Sequence, residues 1–262
     1  EDFGWYLTDT LSVTDRLALT LSGRYNYTRV RLDDQLGTAL NGNHSFDRIN
    51  PAGGLTYEVH PLLKTFASYS ESNRAPTPVE LTCADPNDPC RLPNGFQADP
   101  PLDQVVAKTI EAGFRGGSRS LQYSLAFFRT RVKDDIYFIS AGPGTARNAG
   151  FFDNIGDTQR MGAELGANGV FDPEPIPGAF RWFLSYTYLE ATFEENFAVN
   201  SPAHPQADGN DEIAVSKGDT IPLTPNHVAK AGLDWQATDR LSLGFDVVYN
   251  GVERNGGWSV GP

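Results

Sequence analysis

The sequence predicts an all-β chain, an antiparallel meander of about ten strands. Three observations predict it. Apolar residues recur at every second position over segments of about ten residues, and no helical apolar period persists anywhere. Glycine (26) and proline (18) interrupt the chain throughout, which suits strands and turns and not helices. The connections run short, long, short, long from first to last. In a meander this puts every turn on one side of the sheet and every long loop on the other. Transmembrane β-barrels carry that asymmetry, whereas sandwiches need Greek-key crossovers, so the meander reads as part of such a barrel.

The elements follow in order. Glu1–Val13 sets Phe3, Trp5 and Leu7 against Asp2, Gly4 and Thr8, then turns at Thr14-Asp15. Arg16–Arg31 has Leu17, Leu19, Leu21, Tyr25 and Tyr27 on one face, with Ala18, Thr20, Ser22, Arg24, Asn26 and Thr28 on the other. That length suits a tilted membrane strand. After the polar loop Asp33–Asn43, Pro51–His60 and the segment from Leu63 form a pair through the His60-Pro61 corner. A loop of about thirty-five residues, Ser70 to Gln104, has no assignable secondary structure; loops that long are usually functional or disordered. Lys108–Arg115 and the segment from Leu121 to Phe127 pair through Gly116-Gly117-Ser118. The loop Lys133–Gly156 holds a short strand at Ile136–Ile139. Gln159–Phe171, the turn Asp172–Gly178 and the strand from Phe180 to Tyr188 come next. The loop Glu194–Asn226 then leads to strands at Ala229–Trp235 and Leu241–Tyr249.

The alternation sorts side chains by face. Leu17, Leu19, Leu21, Leu125, Phe127, Leu184, Leu243 and Phe245 should point to one side, toward lipid; Thr20, Arg24, Glu111, Arg115 and Ser185 should point to the other. Tyr25, Tyr27, Tyr69, Tyr186, Tyr188 and Tyr249 gather near the long loops, and Phe114, Phe180, Trp182 and Trp235 near the turns, as two interfacial belts would. The first and last strands should be bare edges of an open sheet.

Composition narrows the function. An apolar fraction of 39% would suit a soluble protein, but barrel strands show lipid only every second residue. No run of 18 apolar residues exists, which excludes a membrane helix. The net charge of −12 excludes nucleic acid as a partner, since phosphates call for Lys and Arg. The acidic runs DPNDP, EATFEEN and ADGNDE read as solvated loops, and none has the spacing of a calcium loop. The four histidines show no metal-ligand spacing, and no cofactor is implied.

Several motifs carry a family likeness. PAGGLTYEVHPLLKTFASYSESNRAPTPVEL, with Arg74-Ala75-Pro76 and Glu80, resembles the strand-turn-strand that runs into a "fRAP…E" loop in TonB-dependent outer-membrane receptors. Gly23-Arg24-Tyr25 resembles their "GxRY" element, TIEAGFRG (Thr109–Gly116) an "xxEAGxKG" strand, and LAFFRTR (Leu125–Arg131) an "ayFrT" strand. Asn154–Leu165 resembles a "GxEL" element, and IPLTPNHVAKAGL (Ile221–Leu233) an "iPlvPkH" strand start. The resemblance implies an outer-membrane receptor of a Gram-negative bacterium, binding a scarce nutrient such as a ferric siderophore and importing it with energy relayed by TonB. The whole span 1–262 then reads as a partial barrel, an interior fragment without plug domain, TonB-contacting box or closing strand. TonB would be reached through the missing N-terminal part, and outer-membrane lipid would surround the barrel.

Individual residues have two readings each. Arg74, where the strand leaves the rim, is the leading candidate for contact with an anionic ligand or the plug; the alternative is that it neutralises Glu71 or Glu80. Arg24 and Arg115 are further substrate candidates on the lumen face; with Arg181 they could equally pair with Glu58, Glu111 and Glu164. Cys83 and Cys90 bracket CADPNDPC and read as a disulfide, which an oxidising outer-surface compartment permits; free thiols are the alternative. A passive porin is the competing transporter. A soluble all-β carbohydrate-active or binding domain is the other class, although no nucleophile elbow, Walker motif or distinctive carboxylate pair marks an enzyme.

Overall fold

The computed structural model describes residues 1–35, 37–38, 40–85, 90–91, 102–140, 149–200 and 205–251. In chain order the elements are β1 (Asp2–Thr14), β2 (Leu17–Leu32), β3 (Gly42–His60), β4 (Leu63–Arg74), α1 (Pro78–Leu81), β5 (Cys90–Arg91), β6 (Val105–Gly117) and β7 (Leu121–Lys133). Then come β8 (Ile136–Ser140), β9 (Ala149–Asn154), β10 (Thr158–Phe171), β11 (Ala179–Phe193), β12 (Phe197–Asn200), β13 (Glu212–Val215), β14 (His227–Thr238) and β15 (Leu241–Asn250). Ten of them form one sheet in the order β1-β2-β3-β4-β6-β7-β10-β11-β14-β15, every pair antiparallel. The meander order and the open sheet are as expected: among the described residues β1 and β15 are its edges and do not pair.

The short turns are closed by side chains. The tetrapeptide Thr-Asp-Arg-Leu occurs at 14–17 and again at 238–241. In the first, Thr14 Oγ1 accepts from the Arg16 and Leu17 amides; in the second, Thr238 Oγ1 accepts from the Arg240 amide. Ser118 Oγ does the same for Ser120 and Leu121. Hydroxyls that satisfy the tip amides stabilise tight turns. One extra residue precedes three of the turns, at Val13, Val59 and Ala237, where the register shifts.

Directly paired residues share a face, so register settles which way each side chain points. The row Leu11–Leu19–Leu55–Ala67–Ala112–Phe127–Ala163–Tyr188–His227 crosses nine strands on one face. All eight residues expected toward lipid belong to that face; Thr20, Arg24, Glu111, Arg115 and Ser185 belong to the other. The first face is apolar and bare: Leu7 and Phe245 are 70% exposed and Ile49 is 69% exposed. Neither buried apolar cluster contains any of the eight, so among the described residues no second sheet covers them.

The same row climbs across the sheet. Leu19 lies about two residues from the short-turn end of β2, and His227 about eleven from the short-turn end of β14. A drift of about nine residues over seven strand steps, at about 3.3 Å per residue and 4.8 Å per strand, inclines the strands by about 40°. Transmembrane barrels need a tilt of this size.

Polarity inverts at the long-loop end. There the apolar face turns cationic at Arg29, Arg31, Lys108, Arg129, Arg131 and Lys133, while the polar face turns apolar at Val30, Leu32, Phe46, Val105, Val132 and Phe193. The inward residues pack with three of the long loops into two buried clusters. One joins Leu81, Ala84, Leu102 and Ile136 to β2, β3, β6 and β7. The other joins Ile139, Ile155, Val199, Ile213, Val215 and Ile221 to β11.

Several elements differ from expectation. β3 begins at Gly42 rather than Pro51, because Asn43–Asn50 pair with Arg24–Arg31 above the apolar band, where alternation of polarity no longer marks a strand. The loop after β4 holds α1 and β5, the loop after β7 holds β9 beside the expected short strand, and the third long loop holds the β12–β13 hairpin. Short elements of four residues or fewer carry too little period to be recognised.

Three phenylalanines on the polar face each lie across a directly paired glycine: Phe66 on Gly113, Phe128 on Gly162 and Phe183 on Gly232. A Cβ at Gly113 would stand 2.2 Å from the Leu125 carbonyl oxygen and 3.0 Å from the Phe66 ring. At Gly53 it would meet nothing nearer than 3.5 Å. Gly113→Ala should therefore force β6 from β7 and cost about 1–3 kcal/mol. Gly53→Ala should be near neutral. Urea titration of the two purified variants makes the comparison, and equal midpoints would rule out the close approach.

Candidate functional site at the long-loop rim

β3 and β4 pair only as far as Ala52 and Ser70. Next along β3 is Pro51, which has no N–H to continue the ladder. Beyond it β3 stays with β2 and β4 with β6, so the two separate. Polar side chains bridge the fork. Asn73 Oδ1 accepts from Asn26 Nδ2 and Asn50 Nδ2, and its Nδ2 donates to Gln104 Oε1 at 2.8 Å. Glu71 takes Arg48, Lys108 and the Tyr69 hydroxyl.

At the top of β4 the motif Arg74-Ala75-Pro76-Thr77-Pro78-Val79-Glu80-Leu81 closes into a capped turn. Thr77 is the N-cap of α1 and Pro78 fits its first position. Glu80 Oε2 accepts from the Thr77 amide at 2.7 Å, and the Thr77 hydroxyl accepts from the Glu80 amide at 3.3 Å, a capping box. The same carboxylate takes Arg74 Nη1 at 2.7 Å. Pro76 and Leu81 are fully buried and anchor the turn in the apolar cluster. Burial alone would raise the Glu80 carboxyl, but the hydrogen bonds from Arg74 and Thr77 outweigh it and hold it below the ordinary range. A lowered folded pKa contributes stability above the ordinary carboxylate range and loses it as pH falls through the folded value.

Cys83 and Cys90 are joined in a disulfide with Cα atoms 5.4 Å apart. β5 pairs with β9, β9 pairs with β8, and the Cys83 carbonyl accepts from the Phe152 amide at 2.6 Å, so the first long loop is bound to the second. Beneath this hairpin Asp135 Oδ2 accepts from the Thr158 hydroxyl at 2.7 Å and pairs with Arg160 at 3.2 Å. Burial pushes the nearby Tyr137 hydroxyl up to about 12, and burial also raises Asp153.

The sheet does not bring Arg74, Arg24 and Arg115 together. Arg115 pairs in register with Lys64, ten residues down β4 from Arg74, so roughly 33 Å separates the two levels. Arg24 Nε donates to Asn26 Oδ1 at 2.7 Å. The Arg115 guanidinium lies over the Phe66 ring at 5.7 Å, beside a cavity of about 600 Å³ near the short turns. Neither arginine, nor Arg181, forms an ion pair among the described residues. Glu58 pairs with Lys64 at 3.1 Å instead, its direct cross-strand neighbour, while Arg24 faces Tyr6 and Asn50. Arg74 borders a cavity of about 530 Å³ between the start of β1 and residues 73–78. Among the described residues no cluster of His, Cys, Asp and Glu could hold a metal.

The fork residues Arg48, Asn50, Asn73 and Gln104 carry no motif, and Pro51, read from the sequence as the start of a strand, marks the fork only once the structure places it inside β3. Replacing Cys83 and Cys90 together by serine should remove about 2.5 kcal/mol of loop stabilisation. The Phe152 amide should then exchange with deuterium about tenfold faster or more, while the Ala126 amide in β7 holds. Unchanged exchange at Phe152 would mean that the apolar cluster alone binds the two loops.

Residues 1–261 match the family described as TonB dependent receptor-like, beta-barrel. A comparison with curated proteins gives no match. Among solved structures, the copper transporter OprC superposes with a TM-score of 0.63 at 15% identity, over 93% of this chain and 33% of its own. The ferric-catecholate import receptor Fiu of E. coli K12 gives 0.62 at 19% identity, over 95% and 34%. The alcaligin outer membrane receptor FauA of Bordetella pertussis gives 0.60 at 17%, over 95% and 37%. The chain thus spans about a third of the length of these structures, and at such identities they show the fold alone. Family and neighbours are receptors and transporters, not enzymes. Register, tilt and family match agree: the chain belongs to the TonB-dependent receptor-like β-barrel family.

Proposed function

We propose that this chain is part of the wall of a Gram-negative outer-membrane receptor that imports a scarce nutrient, an iron–siderophore complex first among them, with energy relayed by TonB. The parent barrel, of about 22 strands, would pair β1 and β15 with strands from the rest of the receptor. The observation that carries this reading is the folding of three long loops over the polar face at one end only. A solute approaching that face from the loop side meets a built surface, whereas the short-turn side is closed only by tight turns. The ferric-catecholate import receptor Fiu and the alcaligin outer membrane receptor FauA, both similar in fold, support the substrate class.

Uptake of radioiron–siderophore by cells expressing the complete gene tests the reading. Uptake should stop when the proton-motive force is collapsed or TonB is deleted. Uptake that continues unchanged would establish the passive porin. Arg74 remains the proposed ligand contact, its guanidinium half exposed beside the cavity at the start of β1. Arg74→Gln should weaken siderophore binding about tenfold, the worth of one charge-assisted hydrogen bond. Glu80→Gln breaks the same ion pair but keeps the capping box, since glutamine also serves there; binding should hold. Equal losses in the two variants would reduce Arg74 to a structural role.

A further inference from the structure

The second long loop, between β7 and β10, packs against both of the others. Its hairpin sets Ile136, Tyr137, Phe138 and Ile139 of β8 against Phe151 and Phe152 of β9, apolar at consecutive positions rather than at every second one. A strand of that pattern needs cover on both faces. Here each face has its own. Phe138 pairs in register with Phe152, and the two rings meet edge to face at 5.2 Å. Phe152 and Ile136 pack with Leu81, Ala84 and Leu102 of the first long loop. Ile139 pairs with Phe151 on the opposite face, where Tyr137 meets the Phe193 ring at 5.8 Å. These three pack with Val199, Ile213, Val215 and Ile221 at the third long loop. Neither cluster contains residues of both the first loop and the third.

Polar contacts repeat the division at the root of the hairpin. Asn154 Oδ1 accepts from the Asp103 amide at 2.9 Å, and its Nδ2 donates to the Asp103 carbonyl at 3.2 Å, which ties the hairpin to the first loop. On the other side the Asp157 carbonyl accepts from the Glu194 amide at 2.8 Å, which ties the same loop to the third.

We infer that the β8–β9 hairpin couples the first and third long loops, so that the third loop regulates the turn holding Arg74 although the two share no cluster. A wedge packed on both faces cannot shift toward one cluster without opening the other, because close-packed interiors transmit strain. Loosening either cluster therefore lowers the cost of opening the other, and the coupling acts equally in both directions. The coupling needs no ligand; its effect on binding rests on the reading of Arg74 as a ligand contact.

Hydrogen–deuterium exchange of the complete receptor in phosphatidylcholine nanodiscs, free of siderophore, provides the test. The Leu81 and Thr82 amides donate to the Thr77 and Pro78 carbonyls in the first loop and report on the Arg74 turn. Ile213→Ala, at a fully buried position of the third loop, should speed their exchange at least about fivefold while the Ala126 amide in β7 holds. Ile139→Ala, on the hairpin face toward the third loop, should do the same. In the reverse direction Leu81→Ala should speed exchange along β12 and β13. Unchanged exchange at Leu81 and Thr82 in either isoleucine variant overturns the inference, and so does a response in one direction only. Should Ala126 also loosen, Ile213→Val makes the same comparison with a smaller cavity, and the same two amides decide. Binding of the radioiron–siderophore of the uptake assay is measured on the same samples. Loosened Leu81 and Thr82 amides with wild-type siderophore affinity would remove Arg74 as the ligand contact and leave the coupling in place.

Discussion

Unbroken register between neighbouring strands is the constraint on which the rest of this structure depends. Direct partners point the same way, so the face of one side chain sets the face of a row that crosses the sheet. A one-residue slip within any ladder would move leucines to the polar face and Arg, Glu and Asn to the apolar one. Register slips only beside the short turns, where the extra residues Val13, Val59 and Ala237 sit and where few strand residues remain to be inverted. The same register tilts the strands by about 40°. The pattern that separates the faces is thus also the one that gives the wall its slope.

The inversion of polarity at the long-loop end follows from what each face meets. Where the outward face is apolar, the inward face can stay polar and carry Glu58, Lys64, Glu111 and Arg115 in contact with water or other polar groups. Beyond Tyr27, Tyr69 and Phe127 the outward face becomes charged. The loops then need an anchorage of their own, and they find it inward, on Val30, Phe46, Val132 and Phe193. Apolar burial in this protein is therefore concentrated under the loops and not along the strands. That is why the disulfide, the capping box and the partly buried Asp135–Arg160 pair all cluster there.

The sheet was legible in the sequence because its signal is periodic and repeated: Leu17, Leu19 and Leu21, or Leu241, Leu243 and Phe245, need only a count of two. The Arg74 turn was legible as a motif, and its pairing with Glu80 as one of two readings, but arginine and glutamate six residues apart do not reveal that the same carboxylate also closes the capping box. The β12–β13 hairpin was illegible. Val199, Ile213 and Val215 are almost fully buried, yet they sit in a stretch rich in Asn, Asp and Pro that reads as solvated loop.

Pro51 shows how one residue shapes the rim. In the middle of a sheet a proline removes a ladder hydrogen bond, and here β3 and β4 part within one residue of it. The loss is offset by side chains, with Asn26, Asn50, Asn73 and Gln104 supplying hydrogen bonds in place of the missing backbone rungs. Freed from β3, the end of β4 is held by β6 alone. It can therefore follow its own course to Arg74, where the turn through Pro76 buries Leu81 under the loops. The "PAGG" start and the "RAP" end of one motif, some twenty residues apart in sequence, are thus two parts of a single device: one releases the strand and the other fastens its end.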